Sequence, residues 1–400
     1  MRQIIPFTKP YIDETIISAV SECLESRWIT TGSKVIELQT WIEDKFHVPK
    51  SFCVNSWTNG AKLILDWFGV GPGDEVIVPV MTYAASANVV EHCGATVIFV
   101  DIGDDLNIDI NKIFDVITPN TKVILPVDIR GVSCNYDALL EIINLEEIIS
   151  QFSPANQIQT DLGRILLLSD AAHSIGAIYK DNYTCNFSDV TIFSLHAVKN
   201  ITSAEGGIIC LNLPAPFDNL EVYNSLRIIG GHGQTKSAFD KYTLGNNWEY
   251  DIVCAGYKVN MPDVLASIAL AQLQQWDKLI KMRRDICDYY LERLSSINNV
   301  DILPLNTIND SNHLMVISIN GANSKYRGFI IEELFKQGIT SNVHFKPLPL
   351  FTHYVSRYDI EDFPFANQVY PTLISLPLFY ELSRDEVDYI CDTLQNILEE

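Results

Sequence analysis

The chain is poor in positive charge. Its 400 residues carry 28 Lys and Arg against 50 Asp and Glu, a formal net charge of −22 at pH 7. A nucleic-acid binder needs the opposite balance to neutralise phosphates, so nucleic acid is excluded as a partner. No run approaches the ~18 uninterrupted apolar residues of a membrane-spanning helix. The opening MRQIIPFTKPYIDE lacks the apolar stretch of a signal peptide. A cytoplasmic protein without membrane insertion is expected. Cysteine is present but unpatterned: nine residues, an odd number, with no two at CxxC spacing. Neither a metal site nor a disulfide framework is indicated, and buried free thiols are expected. Internal repeats and low-complexity tracts are absent as well.

What is present is the composition of a globular protein, 47% hydrophobic and 20% charged, which excludes a disordered or fibrous chain. At about 150 residues per domain, the length suggests two or three domains. Ile12, Ile16, Ile17, Val20 and Leu24 fall on one face of a helix, and a second helix is expected over residues 59–69. Apolar runs then alternate with helical stretches. Glu75–Val80, Thr96–Asp101, Lys122–Val127, Ile165–Ser169 and Thr191–Leu195 read as strands, and Tyr83–Cys93 as a helix. That alternation predicts an α/β architecture: a mainly parallel sheet with helices on both faces. Ligands bind such sheets at the carboxyl ends of the strands. Pro262–Leu294 reads as one long helix carrying a smaller C-terminal α/β unit, so the expected domains are residues 1–260 and 261–400. Residues 145–164 are expected to form a surface excursion.

Two strand ends carry chemistry. Ile165-Leu-Leu-Leu-Ser-Asp170-Ala-Ala-His173 runs from an apolar strand into a carboxylate, two small residues and an imidazole. Ile192-Phe-Ser194-Leu-His196-Ala-Val-Lys199-Asn runs from a strand into a lysine, followed by Glu205-Gly206-Gly207. A lysine and an aspartate at neighbouring strand ends suit pyridoxal 5′-phosphate. That cofactor needs a lysine to form a Schiff base and a carboxylate against its pyridine nitrogen. Its phosphate would suit Asn55-Ser-Trp-Thr-Asn-Gly60, just before a helix, where backbone N–H groups and the helix dipole favour an anion. Blander readings stand beside this one: Asp170 as a helix cap, Lys199 as a solvated loop residue, His173 as a core histidine, and Ser56 and Thr58 as simple caps.

Longer motifs resemble one family. Ser26-Arg-Trp28-Ile-Thr30-Thr31-Gly32 is similar to SGWITTGP, and Gly71-Pro-Gly-Asp-Glu-Val-Ile-Val-Pro79 to GPGDEVIVP. Phe193 to Gly207 resembles FSFHAIKNITTAEGG, Gly256 to Met261 resembles GYKYNL, and Ser375-Leu-Pro-Leu378 resembles SLPLFP. These are motifs of the DegT/DnrJ/StrS sugar aminotransferases, and the resemblance runs nearly end to end. Within that family it is most similar to enzymes of the UDP-4-amino-4-deoxy-L-arabinose type, which aminate UDP-4-keto sugars.

The resemblance implies the aspartate aminotransferase fold (fold type I) and pyridoxal 5′-phosphate as cofactor. It implies transfer of an amino group from L-glutamate to a UDP- or dTDP-linked keto sugar, at C4, in amino-sugar biosynthesis for surface glycans such as lipopolysaccharide O-antigen. C3-keto, GDP-linked or cyclitol substrates are alternatives, as is a non-catalytic regulator. Lys199 would form the Schiff base, Asp170 would pair with the pyridine nitrogen, and His173 would sit near the ring hydroxyl. Tyr83 would stack on the ring, and Thr58, Asn59 and Ser194 would hold the phosphate. Asn260 would reach the phosphate from the neighbouring subunit of a homodimer with shared sites. Trp28, Thr31, His196 and His344 would contact the sugar nucleotide. A branch of the family with dehydratase activity replaces the lysine by histidine, so Lys199 favours transamination. Trp57, Asp128 and Ser169 depart from the family pattern, which has Gly or Ala, His, and Glu there.

Overall fold

Seven strands build the central sheet of the computed structural model, which describes residues 4–236, 239 and 249–399. They are β1 (Lys50–Val54), β2 (Glu75–Pro79), β3 (Thr96–Val100), β4 (Thr121–Ile124), β5 (Leu166–Asp170), β8 (Val190–Ser194) and β9 (Gly207–Leu211). A short hairpin, β6 (Ile178–Tyr179) and β7 (Asn182–Tyr183), precedes β8. The order is β1-β9-β8-β5-β4-β2-β3. Strands β3, β2, β4, β5 and β8 pair in parallel, and β9 runs antiparallel to both its neighbours. The sheet is thus mostly parallel, as the alternating pattern predicts.

The strands read as continuous apolar runs because both faces are covered. In β1, Phe52 and Val54 enter the core on one face, with Leu63 and Ile64 of α3 (Trp57–Phe68) and Val89 and Val90 of α4 (Ala84–His92). Cys53 enters the core on the other, with Leu38 and Ile42 of α2 (Ser33–Phe46) and Ala266 and Ala269 of the helix Asp263–Leu273. Farther along that second face, Tyr136–Ile143 covers Ile77, Ile124 and Leu167. Seven of the nine cysteines are buried, Cys254 is exposed, and all nine are free thiols.

A second sheet, antiparallel in the order β10-β11-β12, is made of Val300–Ile302, Met315–Ile319 and Leu373–Leu376. The helices Trp276–Leu294, Ser324–Lys336 and Arg384–Glu399 pack on it. The first described residues join this sheet's surroundings. The Ile5 N–H donates to the Gly338 carbonyl at 2.8 Å, and the Leu378 N–H to the Phe7 carbonyl at 3.1 Å.

Three local features differ from the sequence expectations. The long helix breaks at Gln274–Gln275, where Gln275 leaves helical geometry. Nearby Gln272 spends its side-chain amide on the Thr202 N–H and the Tyr11 carbonyl. The excursion at 145–164 folds back: fully buried Gln159 and its neighbour Asn156 both donate to the Phe68 carbonyl, closing the last turn of α3. On α1 (Glu14–Glu25), Ile16 and Cys23 face the core, while Ile17 and Leu24 stand exposed.

The start of α2 has no cap of its own, because Gly32 occupies the N-cap position. The buried Asp263 carboxylate substitutes from 231 residues away, accepting from the N–H groups of Gly32 (2.7 Å), Val35 (3.1 Å) and Lys34 (3.2 Å). Glycine is required at 32, since a Cβ there would stand 2.2 Å from Trp28 Nε1. Asp263→Ala should therefore destabilise the protein by about 1–2 kcal/mol, the usual loss for a helix cap, with Asp263→Asn losing less. Chemical denaturation measures the difference, and an unchanged midpoint would show that the cap contributes nothing.

Candidate active site

The parallel strands end along one edge of the central sheet, and a cavity of about 450 Å³ opens there. Strand β5 delivers Asp170 and, three residues on, His173; its parallel neighbour β8 delivers Ser194 and then Lys199. The loop after β2 brings Thr82 and Tyr83, and the start of α3 brings Ser56, Trp57 and Thr58. Of the residues singled out in the sequence, Thr58, Tyr83, Asp170, His173, Ser194, His196, Lys199 and His344 all line this one cavity.

Asp170 is buried, with Oδ2 accepting from Ser86 Oγ at 2.8 Å and Oδ1 from the Ala172 N–H at 3.1 Å. Burial pushes its carboxyl up to about 6, against the opposing pull of these two bonds and of the Lys199 charge. Enclosure pulls the Lys199 amine down to about 8, while Asp170 draws it back up. Among the described residues neither group has an opposite charge at ion-pair distance. Asp170 is therefore a buried carboxylate able to take a cationic N–H, and Lys199 is an amine made more nucleophilic at neutral pH.

His173 Nδ1 accepts the Arg130 peptide N–H at 3.3 Å, which places the ring proton on Nε2. Burial, reinforced by the Lys199 charge, holds His173 well below the usual histidine range. It therefore stays neutral and presents an N–H donor. His344, with Nδ1 2.9 Å from Ser375 Oγ, is lowered to about 4, mainly by burial and also by Lys199. Its ring stacks on Phe7, which also lines the cavity.

The anion end is built from backbone. Ser56 caps α3, its Oγ accepting the Asn59 N–H at 3.1 Å. The helix start lies so close to β9 that a Cβ on Gly207 would be 2.8 Å from backbone atoms of Ser56 and Trp57. The Trp57 ring is buried in the core, and among the described residues its Nε1 has no partner. The Asn59 side chain turns to Asn55 Oδ1 at 2.8 Å and is not part of the cavity wall.

These residues fit pyridoxal 5′-phosphate. Ala172, a small side chain, lines the cavity beside Asp170. The hydroxyls of Thr58 and Ser194 flank a helix start suited to a phosphate. Lys199 supplies the amine.

Trp28, Thr31 and Asn260 lie elsewhere, in a cluster of their own. Trp28 Nε1 donates to the Thr31 carbonyl at 3.1 Å, Asn260 Nδ2 donates to Thr31 Oγ1, and Asn260 bridges to Val54 of β1. The departures at Asp128 and Ser169 prove to be one network. The Asp128 carboxylate, fully buried, accepts from the Cys134 N–H, Ser174 Oγ and Tyr136 OH, and Tyr136 OH also meets Ser169 Oγ at 2.6 Å. This network braces the loop that carries His173.

Sequence reasoning missed His313, Phe345, Ser86 and Phe7 in the cavity wall. For His313 a signal existed: it heads the apolar run His313–Ile319, just as the other site residues adjoin strands.

Comparison with known proteins agrees with this geometry. The sequence model of the DegT/DnrJ/EryC1/StrS aminotransferase family matches residues 10–395. The spore coat polysaccharide biosynthesis protein SpsC of Bacillus subtilis is 31% identical, over 98% of this chain and 97% of its own. The UDP-4-amino-4-deoxy-L-arabinose–oxoglutarate aminotransferase of Shewanella sediminis is also 31% identical, over 99% and 98%. A Streptococcus pneumoniae protein described as a sugar aminotransferase, solved in its PMP form, superposes with a TM-score of 0.94 at 42% identity, covering 99% of both chains.

Two outcomes follow from this wall. In competitive acetylation of the apoenzyme read by mass spectrometry, Lys199 reactivity should rise roughly tenfold per pH unit up to about 8 and then level. A rise continuing towards pH 10 would mark an ordinary lysine. Gly207→Ala should weaken binding of pyridoxal phosphate roughly 10- to 100-fold in absorbance titrations, because the helix start must move to admit the methyl group.

Proposed function

The chain belongs to the DegT/DnrJ/EryC1/StrS aminotransferase family, whose transaminases work with pyridoxal phosphate, and from that premise we propose that it transfers an amino group from L-glutamate to the ketone of a nucleotide-linked sugar. The sugar is UDP- or dTDP-linked and is aminated at C4, in amino-sugar biosynthesis for a surface glycan. The observation that carries this reading is that Asp170 and Lys199, which follow adjacent parallel strands, line one cavity beside a helix start that Gly207 allows to approach.

Pyridoxal phosphate, when bound, supplies an electron sink for the carbon that loses its proton. Asp170 holds the pyridine nitrogen protonated, and its buried environment strengthens that contact. His173 orients the ring hydroxyl through Nε2–H. Lys199 Nζ would anchor the cofactor and, when free, would hold and move the proton taken from the Cα of glutamate. Thr58, Ser194 and the first turn of α3 bind the phosphate, and Tyr83 covers the ring. His196 and His344 face the sugar nucleotide.

The reading includes a cytoplasmic homodimer with shared sites. Two observations support it. Trp28, Thr31 and Asn260 form a cluster apart from their own chain's cavity. Exposed apolar side chains lie near these residues in sequence: Ile17, Leu24 and Ile29 near Trp28 and Thr31, and Ile252 and Val253 ahead of Asn260. In the dimer, Asn260 of one subunit completes the phosphate site of the other. A cofactor-binding unit, residues 1–260, and a smaller unit, residues 261–400, belong to the same proposal.

The purified protein with pyridoxal phosphate should absorb in the visible, release 2-oxoglutarate from L-glutamate, and show ping-pong kinetics. Lys199→Ala should abolish transfer, and retention of normal activity would overturn the assignment. A panel of UDP-, dTDP- and GDP-linked 3- and 4-amino sugars and amino cyclitols, each assayed with 2-oxoglutarate, identifies the sugar side. Mixing subunits tests the shared site. Lys199→Ala and Asn260→Ala homodimers should each be impaired, and co-expression should restore roughly a quarter of the sites, since half the dimers are hybrids with one intact site each. No recovery in proven hybrids would place Asn260 outside the site.

A further inference from the structure

We infer that His313 is a substrate-facing hydrogen-bond acceptor of this active site, held in that state by Asn200, and that it recognises a hydroxyl of the polyol bound beside Lys199. The inference deepens the reading above and rests on its hydroxyl-rich substrate.

The ring of His313 is buried, lines the same cavity as Lys199, and lies with its centroid 4.4 Å from that of His173. Its Nδ1 is 2.8 Å from Asn200 Oδ1. The orientation of that amide is fixed, because Asn200 Nδ2 donates to the Ser311 carbonyl at 2.7 Å. An amide oxygen can only accept, so the proton between the two groups sits on His313 Nδ1. A neutral imidazole protonated there carries a lone pair on Nε2, and among the described residues no protein group bonds that nitrogen. Asn200 is itself held at its carbonyl, which accepts from Tyr380 OH at 2.6 Å.

The neighbouring ring has the opposite polarity. His173 uses Nδ1 to accept from the Arg130 peptide, so its Nε2 donates. The two adjacent imidazoles, tilted 35° to one another, therefore give this wall one donor and one acceptor. Protonation of His313 would erase the difference, and burial, reinforced by the charges of Lys199 and Arg283, works against it.

Anchoring the strand does not need the ring. The His313 N–H donates to the Arg130 carbonyl at 3.1 Å, and its carbonyl accepts from Arg283 Nη2 at 2.8 Å. The side chain is free to serve the cavity. An unprotonated nitrogen accepts from a hydroxyl and has nothing to give a carboxylate. The sugar side of the reaction should therefore depend on it far more than the glutamate side.

Two measurements decide the matter in the pyridoxal-phosphate-loaded enzyme. The first is ¹⁵N-histidine NMR, assigned with His313→Gln. It should show His313 neutral with its proton on Nδ1, shifting to a mixed population in Asn200→Ala; a proton on Nε2 in the wild type would overturn the inference. The second compares half-reactions, using L-glutamate and the amine from the panel above that the wild type turns over fastest. His313→Phe should raise KM for that amine roughly 10- to 100-fold more than KM for L-glutamate, and His313→Gln, which keeps an acceptor near the Nε2 position, should recover most of the loss. Equal damage to both half-reactions, without recovery in His313→Gln, would reduce His313 to a structural residue. A wild type inert towards every sugar amine would overturn the proposed reaction, and the tautomer measurement would then decide the imidazole assignment alone.

Discussion

Everything at this site depends on two opposite charges brought out of water at the ends of adjacent parallel strands. Asp170 and Lys199 do not touch, yet each shifts the other: the carboxylate draws the amine back up, and the amine draws the carboxyl down. Burial works against both and dominates. The result is a pair of groups held apart beyond ion-pair distance, both lining the one cavity. Parallel pairing of β5 with β8 fixes that separation, and the five-strand parallel run is what places both ends on one edge of the sheet.

The surroundings follow from this charge arrangement. Four imidazoles line the same cavity, and three of them, His173, His313 and His344, are held neutral, chiefly by burial and further by Lys199. Neutral imidazoles can be either donors or acceptors, and their second nitrogens determine which. The Arg130 peptide fixes His173, and Asn200 fixes His313. A wall of fixed hydrogen-bonding polarity is thereby built without adding charge.

Much of this was legible in the sequence. Asp170 and Ser194 end apolar strands, and His173 and Lys199 follow within five residues, and strand ends are where an α/β sheet binds ligands. The alternation of apolar runs with helical stretches likewise gave the sheet's mainly parallel character. What stayed hidden depends on contacts between residues distant in the chain. Asp263 caps a helix that begins at residue 33, and nothing near residue 33 announces it. Asp128, Tyr136, Ser169 and Ser174 form a single network, so two departures from the family pattern that look independent in one dimension are one change in three. On α1 the helical stripe is real, but Ile17 and Leu24 of that stripe are left uncovered by the chain itself. Periodicity reveals an apolar face and does not say whether the same molecule covers it.

The first described residues carry a consequence for the order in which the protein can be completed. Ile5 is bonded to the peptide of Gly338, Phe7 to that of Leu378, and the Phe7 ring rests on His344 in the cavity wall. This segment thus finds its partners only after residues roughly 330–370 positions later have been made. The central sheet, from Lys50 to Leu211, has all its strands long before that. A nascent chain can assemble the lysine and aspartate on their strands and still lack one wall of the site. The segment around Phe7 therefore closes this part of the cavity only once the chain around residues 338–378 is in place.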